Sequence, residues 1–477
     1  MQNTRLVRLL KTFDSSEFKQ FRDFINSPYY NRNKNVISLY SFLKKFYPDF
    51  TGDELNDESA FRKLFPDEKY DYFKLKNIIS DLLSLGRKFL ATSHFHNKTD
   101  LGTDFLLEEF RDRNLRNMHE QLFSSSLKKL NESVIRDEIY FLKQFELAAE
   151  LKNYYSPIYP NSHFNLFQDQ LNYFIKYSLV KMLRLYNTML HENKQNNYEF
   201  DFRMFDEIFS YLKNNLNEQD TVILLYYNII LLEKENDEKY FFTLKELFGK
   251  HSDELSHYDR YMYFLHMSGF CADRFNNQCK TDFTREHFLL SKENFELGTI
   301  ELGKILYLDF LNHVKIAVRV DEFEWAEKYI CRFKDSLSDE HRQSSLNFCY
   351  GYIDFKKRNF ENALNLLSQV NFSNFIIKIQ VKNLLLQTYY ELGLYEQALA
   401  MIDTFRHYLS RDKNLPDNYK FSFNEYFKNI TDIIRYITGS GINSRNIITK
   451  DFKSAASGIK CNPFGIKLWL IEKINEL

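Results

Sequence analysis

One stretch of the chain invites a nucleotide reading. In FELGTIELGKILYLDF, residues 295–310, Gly298, Gly303 and Lys304 stand at the spacing of a phosphate-binding P-loop. The chemistry needs more than that spacing. A P-loop follows a buried strand, keeps small residues in its loop and puts Ser or Thr after the lysine to hold magnesium. Here Ile305 takes that place, and Glu301 would sit where phosphate charge belongs. The glycines therefore read as punctuation before a helix carrying Tyr307, Phe310, Leu311, Val314 and Val318 on one face. His257, His266, Cys271, Cys279 and His287 form the densest group of soft metal ligands, but their gaps fit neither paired-cysteine nor His-x3–5-His zinc spacing. Glu254-Leu-Ser-His257 is a single Glu-x-x-His, whereas a carboxylate-bridged di-iron bundle needs two. No GxSxG, HExxH or glycine-rich dinucleotide turn occurs. The expectation is a protein without catalytic, cofactor-binding or metal residues, and not an enzyme.

The elements that would position any site are helices. Only 13 Gly and 7 Pro occur in 477 residues, well below average usage of about 7% and 5%, and many short strands would need more turns than so few breakers supply. Lys+Arg 64 against Asp+Glu 65 leaves a formal charge of −1, so no global field favours nucleic acid or an acidic membrane. The 47 Phe and 32 Tyr read as core material, in company with abundant Lys, Asn and Ile. The start, MQNTRLVRLLKTF, turns charged at once without an apolar core of signal-peptide length, so the expectation is no export signal there. The longest apolar run, VILLYYNIILL at residues 222–232, is too short for a membrane span. Five scattered cysteines suit a reducing cytoplasm.

Periodicity then divides the chain. Residues 1–97 predict an N-terminal helical bundle. Its helices begin at Asp14 with Glu17 three residues on, run through Val36, Leu39, Tyr40 and Leu43, and continue from about Asp71 to Leu90, with a mild excess of positive charge. Residues 104–300 read as a degenerate array of helical hairpins, residues 301–437 as clear repeats, and residues 438–477 as a C-terminal cap. The cap's helix opens at Asn462-Pro463 and carries Phe464, Leu468, Trp469, Ile471 and Ile474.

The repeats show as three windows aligned on Ala326, Ala363 and Ala398, 37 and 35 residues apart. An aromatic stands three residues before each alanine, at Phe323, Phe360 and Tyr395. A small residue at a fixed place lets two antiparallel helices approach closely, which gives one helix-turn-helix per repeat. QTYYELGLYEQALAMI resembles a tetratricopeptide repeat: Tyr389, Gly393, Tyr395 and Ala398 fall where that motif has its tyrosine, glycine, aromatic and alanine. Gly351, Phe360 and Ala363 match in the preceding repeat, and Phe323 and Ala326 in the one before. The usual proline after the second helix is missing each time. The whole chain also resembles a bacterial family of all-helical proteins, through NSPYYNRNKNV, EFEWAEKYI and YYELGLYEQAL, a resemblance that brings no activity with it.

The tetratricopeptide resemblance implies an α-solenoid that binds a protein or peptide partner along the first helix of each repeat. Eleven residues before the alanines stand Lys315, Tyr352 and Gln387, and seven before stand Arg319, Lys356 and Glu391. These six are the candidate partner-binding residues, and stacked repeats would align the first four as a solvated basic strip with one aromatic. They do not reproduce the basic-asparagine clamp by which some such repeats hold a terminal carboxylate. The leading expectation is a cytoplasmic, non-catalytic scaffold for a protein or peptide partner. The alternative is a nucleic-acid-linked regulator, in which the mildly basic residues 1–97 touch phosphate and the repeats sense a ligand.

Overall fold

The computed structural model describes the chain except for residues 98, 157–163, 197, 299–304, 412–414 and 440–451. Every regular element among the described residues is helical, and none of these helices is long and apolar enough to cross a membrane. The chain divides into two compact units: Met1–Glu132 with Lys143–Gln170, and Ser133–Leu142 with Leu171–Leu477.

The first unit begins with α1 (Arg5–Leu10), α2 (Ser15–Asn26), α3 (Lys34–Leu43), α4 (Asp57–Leu64) and α5 (Tyr72–Asn97). The start of α2 is the one its sequence predicts. Asp14 Oδ1 accepts from the amides of Ser16 and Glu17 at 2.8 Å each, and Glu17 Oε2 accepts from the Asp14 amide at 3.0 Å, so two orphan donors are satisfied reciprocally. Leu6, Phe21, Val36, Leu39 and Leu82 meet in one core with no exposed surface. The unit continues with α6 (Thr99–Asp112), α7 (Arg116–Asn131) and residues 143–155 of α8 (Glu138–Tyr155). Leu107, Phe123 and Leu147 form a small core there, and Glu150 pairs with Arg111 and with His119 Nε2.

The second unit holds residues 171–196 of α9 (Asn165–Asn196), followed by α10 (Phe205–Asn214), α11 (Thr221–Glu235), α12 (Glu238–His251), α13 (His257–Gln278) and α14 (Asp282–Glu296). It continues with α15 (Tyr307–Arg319), α16 (Phe323–Phe333), α17 (Asp339–Lys356), α18 (Phe360–Ser368), α19 (Phe375–Glu391), α20 (Tyr395–Ser410) and α21 (Asp417–Ile437). A short helical stretch at 452–457 precedes α22 (Ile466–Glu476). The apolar run of α11 is core, with Val222, Ile223, Leu225, Tyr226, Ile229 and Ile230 buried. Asp259 lies beneath it with no exposed surface, accepting from Arg184 at 2.7 Å, Tyr226 Oη at 2.8 Å and Ser256 Oγ at 2.6 Å.

The three aligned windows fold alike. Helix α15 packs on α16 and α17, α17 packs on α18 and α19, and α19 packs on α20. Ala326, Ala363 and Ala398 have no exposed surface. Five residues before each, the backbone turns left-handed, at Asp321 (φ 61°), Arg358 (φ 64°) and Gly393 (φ 70°). The next amide then reaches back to a carbonyl five residues earlier: Glu322 to Ala317 at 3.0 Å, Asn359 to Asp354 at 2.8 Å and Leu394 to Tyr389 at 2.9 Å. This is the Schellman closure of a helix. Two of the three turn aromatics pack on the preceding helix, Phe360 against Phe355 and Tyr395 against Tyr390, with ring centroids 5.6 and 5.9 Å apart.

Among the described residues the same turn also occurs where sequence shows no repeat. Asn114 has φ 56°, the Leu115 amide reaches Phe110 O at 2.8 Å, and the residue five beyond the turn is the buried His119. Close approach at the alanine positions gives a direct expectation. Ala398→Leu overpacks the α19–α20 contact and costs about 1–3 kcal/mol in urea denaturation; an unchanged midpoint would show that the position is not a contact between closely packed helices.

Candidate functional site

In the second unit, the first helices of the aligned windows place the six candidate residues on or beside one cavity of about 300 Å³. Lys315 and Arg319 of α15, Tyr352 and Lys356 of α17, and Gln387 of α19 all line it. Glu391 lies one turn beyond Gln387 and outside the lining. The residues are helical neighbours because i and i+4 share a face, and the stacking of α15 on α17 and α17 on α19 brings the pairs together.

The cavity departs from an open, solvated strip in two ways. Lys315 is 92% buried, with Nζ donating to Gln380 Oε1 at 2.7 Å. Gln387 is buried as well and donates to Tyr426 Oη at 3.2 Å. The second departure is α22, which lies against this face and supplies Leu468, Trp469 and Glu472 to the wall. Before α22, the Asn462 amide donates to Asn276 O of α13 at 2.6 Å, and Asn462 Oδ1 accepts from the Lys467 amide at 2.9 Å. Further along, Trp469 Nε1 donates to Glu391 at 3.1 Å, and the buried Lys473 pairs with the same carboxylate at 2.8 Å. Glu391 is thus taken up inside the molecule. The C-terminal segment therefore meets α19 of the last repeat through α22 and the end of α13 through Asn462.

Charge in the lining is one-sided. Arg285, Lys315, Arg319 and Lys356 face a single carboxylate, Glu472. Arg285 is answered by Glu322 at 2.8 Å, and Glu472 leans on Lys473 at 3.3 Å. Arg319 lies over the Phe275 ring, 4.5 Å from its centroid. Among the described residues no carboxylate lies within ion-pair distance of Lys315, Arg319 or Lys356. Burial, reinforced by Arg319, pushes the Lys315 ammonium down to about 7. His287 of α14 is pushed down to about 3, first by burial and then by Arg319, His313 and Lys315. Burial lowers His313 too, against the pull of its contact with Asp309 O. On α17, burial holds the Cys349 thiol protonated, well above its usual range.

Sequence register does not reach the rest of the wall. Gln380 and Asn383 precede Gln387 by two turns and one turn of α19, and with Glu391 they form a polar stripe at i, i+3, i+7 and i+11 on FIIKIQVKNLLLQTYYE. That stripe was the available signal, since polar residues so regularly placed on an apolar helix face something. Phe275, Phe348 and Trp469 add aromatic surface that carries no such signal.

The remaining candidates for chemistry lie apart from this cavity or outside the described residues. Of the P-loop-like stretch, Gly298 closes α14 with φ 64°, and residues 299–304 fall outside the described residues. His266 is held by Asn187 at 3.0 Å and Glu233 at 3.1 Å, Cys271 is buried in α13, and Cys279 forms the left-handed turn after α13. Among the described residues no group of three or more His, Cys, Asp or Glu is placed to hold a metal ion. Comparison with protein-family models, with curated proteins and with solved structures returns no match.

Proposed function

We propose that the protein is a non-catalytic interaction scaffold whose tetratricopeptide-like hairpins grip an acidic segment of a protein partner. The segment would bind along the first-helix face of α15 and α17. The observation that carries this reading is the arrangement of Arg319 and Lys356 at the cavity, with no carboxylate of their own among the described residues. Charge complementarity then selects an acidic occupant over a basic one. The recurrence of one turn geometry before Ala326, Ala363 and Ala398 supports a repeat array of the tetratricopeptide kind. Five unpaired cysteines, three of them buried, fit work in a reducing cytoplasm.

A fluorescein-labelled Glu-rich peptide tests it by anisotropy with the full chain. Affinity should fall with added salt, and Arg319→Glu with Lys356→Glu should weaken it about tenfold or more. Loss of the Arg319–Phe275 contact costs the fold only about 1 kcal/mol, so circular dichroism should be unchanged. Undiminished peptide affinity in the double variant would move the binding surface elsewhere, with the mildly basic residues 1–97 next in line.

A further inference from the structure

A peptide held by Arg319 and Lys356 does not explain why a lysine is buried beside them. Lys315 has Gln380 as its only hydrogen-bond partner among the described residues and faces a cavity whose unpaired charges are all positive. A buried ammonium is ordinarily paired or fully hydrogen-bonded, and one left with a single neutral partner on a cavity wall marks a place where an anionic ligand completes it. The aromatic walls Phe275, Phe348 and Trp469 offer an apolar body something to lie against.

We propose that this cavity is a binding site for a small ring-bearing phosphomonoester. Its doubly charged phosphate sits between Lys315 and Arg319, and its ring lies along Phe275, Phe348 and Trp469. Phosphate is preferred to carboxylate because Lys315, Arg319 and Lys356 together can balance two negative charges, and a guanidinium fork matches phosphate oxygens. The proposal shares Arg319 and Lys356 with the peptide reading but turns on the buried Lys315, which that reading does not use.

Binding is linked to a proton. Arg319 on its own helix, His287 from α14 and Cys349 from α17 act on Lys315 directly, and Arg285 from α14, Lys356 from α17 and Glu472 from α22 share the cavity lining with it; the α13 and α19 residues of the lining are neutral. Burial first, and Arg319 after it, favour the neutral amine. A phosphate dianion reverses the balance, and the amine takes a proton from solvent to become the ammonium that pairs with it.

Isothermal titration of the full chain with 1-naphthyl phosphate at about pH 8, in two buffers of different ionisation enthalpy, tests this. Saturable binding should appear with net proton uptake, and both inorganic phosphate and 1-naphthoate should bind more weakly. Lys315→Met should weaken 1-naphthyl phosphate about tenfold or more and abolish the uptake, and Arg319→Gln should weaken it while uptake remains. Any one of three results would overturn the proposal: no binding of 1-naphthyl phosphate, equal affinity for 1-naphthoate, or undiminished affinity or persisting uptake in Lys315→Met.

Discussion

Lys315→Met is expected to stabilise the folded chain near pH 6 by about 1–4 kcal/mol, the range seen when buried ion pairs give way to apolar groups, because it removes a buried ammonium with no carboxylate within ion-pair distance among the described residues. The gain should shrink as pH rises. In the unfolded chain the lysine titrates at its ordinary 10.5, and in the folded chain at about 7. Below about 7 both states hold the proton, and the folded state carries the full cost of an ammonium in a buried place. Between about 7 and 10.5 the unfolded state binds more protons, so this lysine makes stability rise with pH. Above that window both states are neutral and the penalty is gone. Gln380 loses its donor in the variant, which offsets about 1 kcal/mol. Urea denaturation of wild type and variant across pH 6 to 10.5 checks the prediction, and their difference cancels the titration of other groups. A methionine variant less stable than wild type near pH 6 would mean that the ammonium is well compensated in the fold.

The opposite sign is expected where a buried charge already has its partner. Asp259→Ala should cost about 3–5 kcal/mol, because it removes one member of a buried pair and leaves the other. Asp259 has no exposed surface and accepts from Arg184, Tyr226 and Ser256 together. Among the described residues Arg184 keeps one carboxylate, Glu138 at 2.8 Å, and Tyr226 Oη, buried in α11, loses its acceptor. Urea denaturation measures the loss, and a cost below about 1 kcal/mol would show that water or a rearranged side chain replaces the carboxylate. Lys315 and Asp259 are both buried ionisable residues, yet they pull in opposite directions. Asp259 is matched by three donors, whereas Lys315 waits for a countercharge.

Helix positions were legible because their signals are local. Asp14 and Glu17 announce the start of α2 by spacing alone, and the alanines at 326, 363 and 398 announce close helix approach. The turns before those alanines were only partly visible. Gly393 advertises a left-handed residue, but Asp321 and Arg358 hold the same conformation without glycine. The turn at Asn114 was hidden altogether, because the position that elsewhere carries alanine holds His119, buried by its contacts with Glu150 and Tyr154. At the candidate site, register found Lys315, Arg319, Tyr352, Lys356 and Gln387 because helical neighbours are fixed by the backbone. It could not find the burial of Lys315, which depends on Gln380, 65 residues away. Nor could it foresee that α22 would engage Glu391 through Trp469 and Lys473, since a connection after α21 does not reveal where the next helix docks.

The most direct measurement is hydrogen–deuterium exchange of the full chain with and without the Glu-rich peptide. Slowed exchange in α15 and α17, with residues 1–97 unchanged, is the expected result. Protection confined to residues 1–97, with α15 and α17 exchanging as before, would contradict the assignment of the binding face.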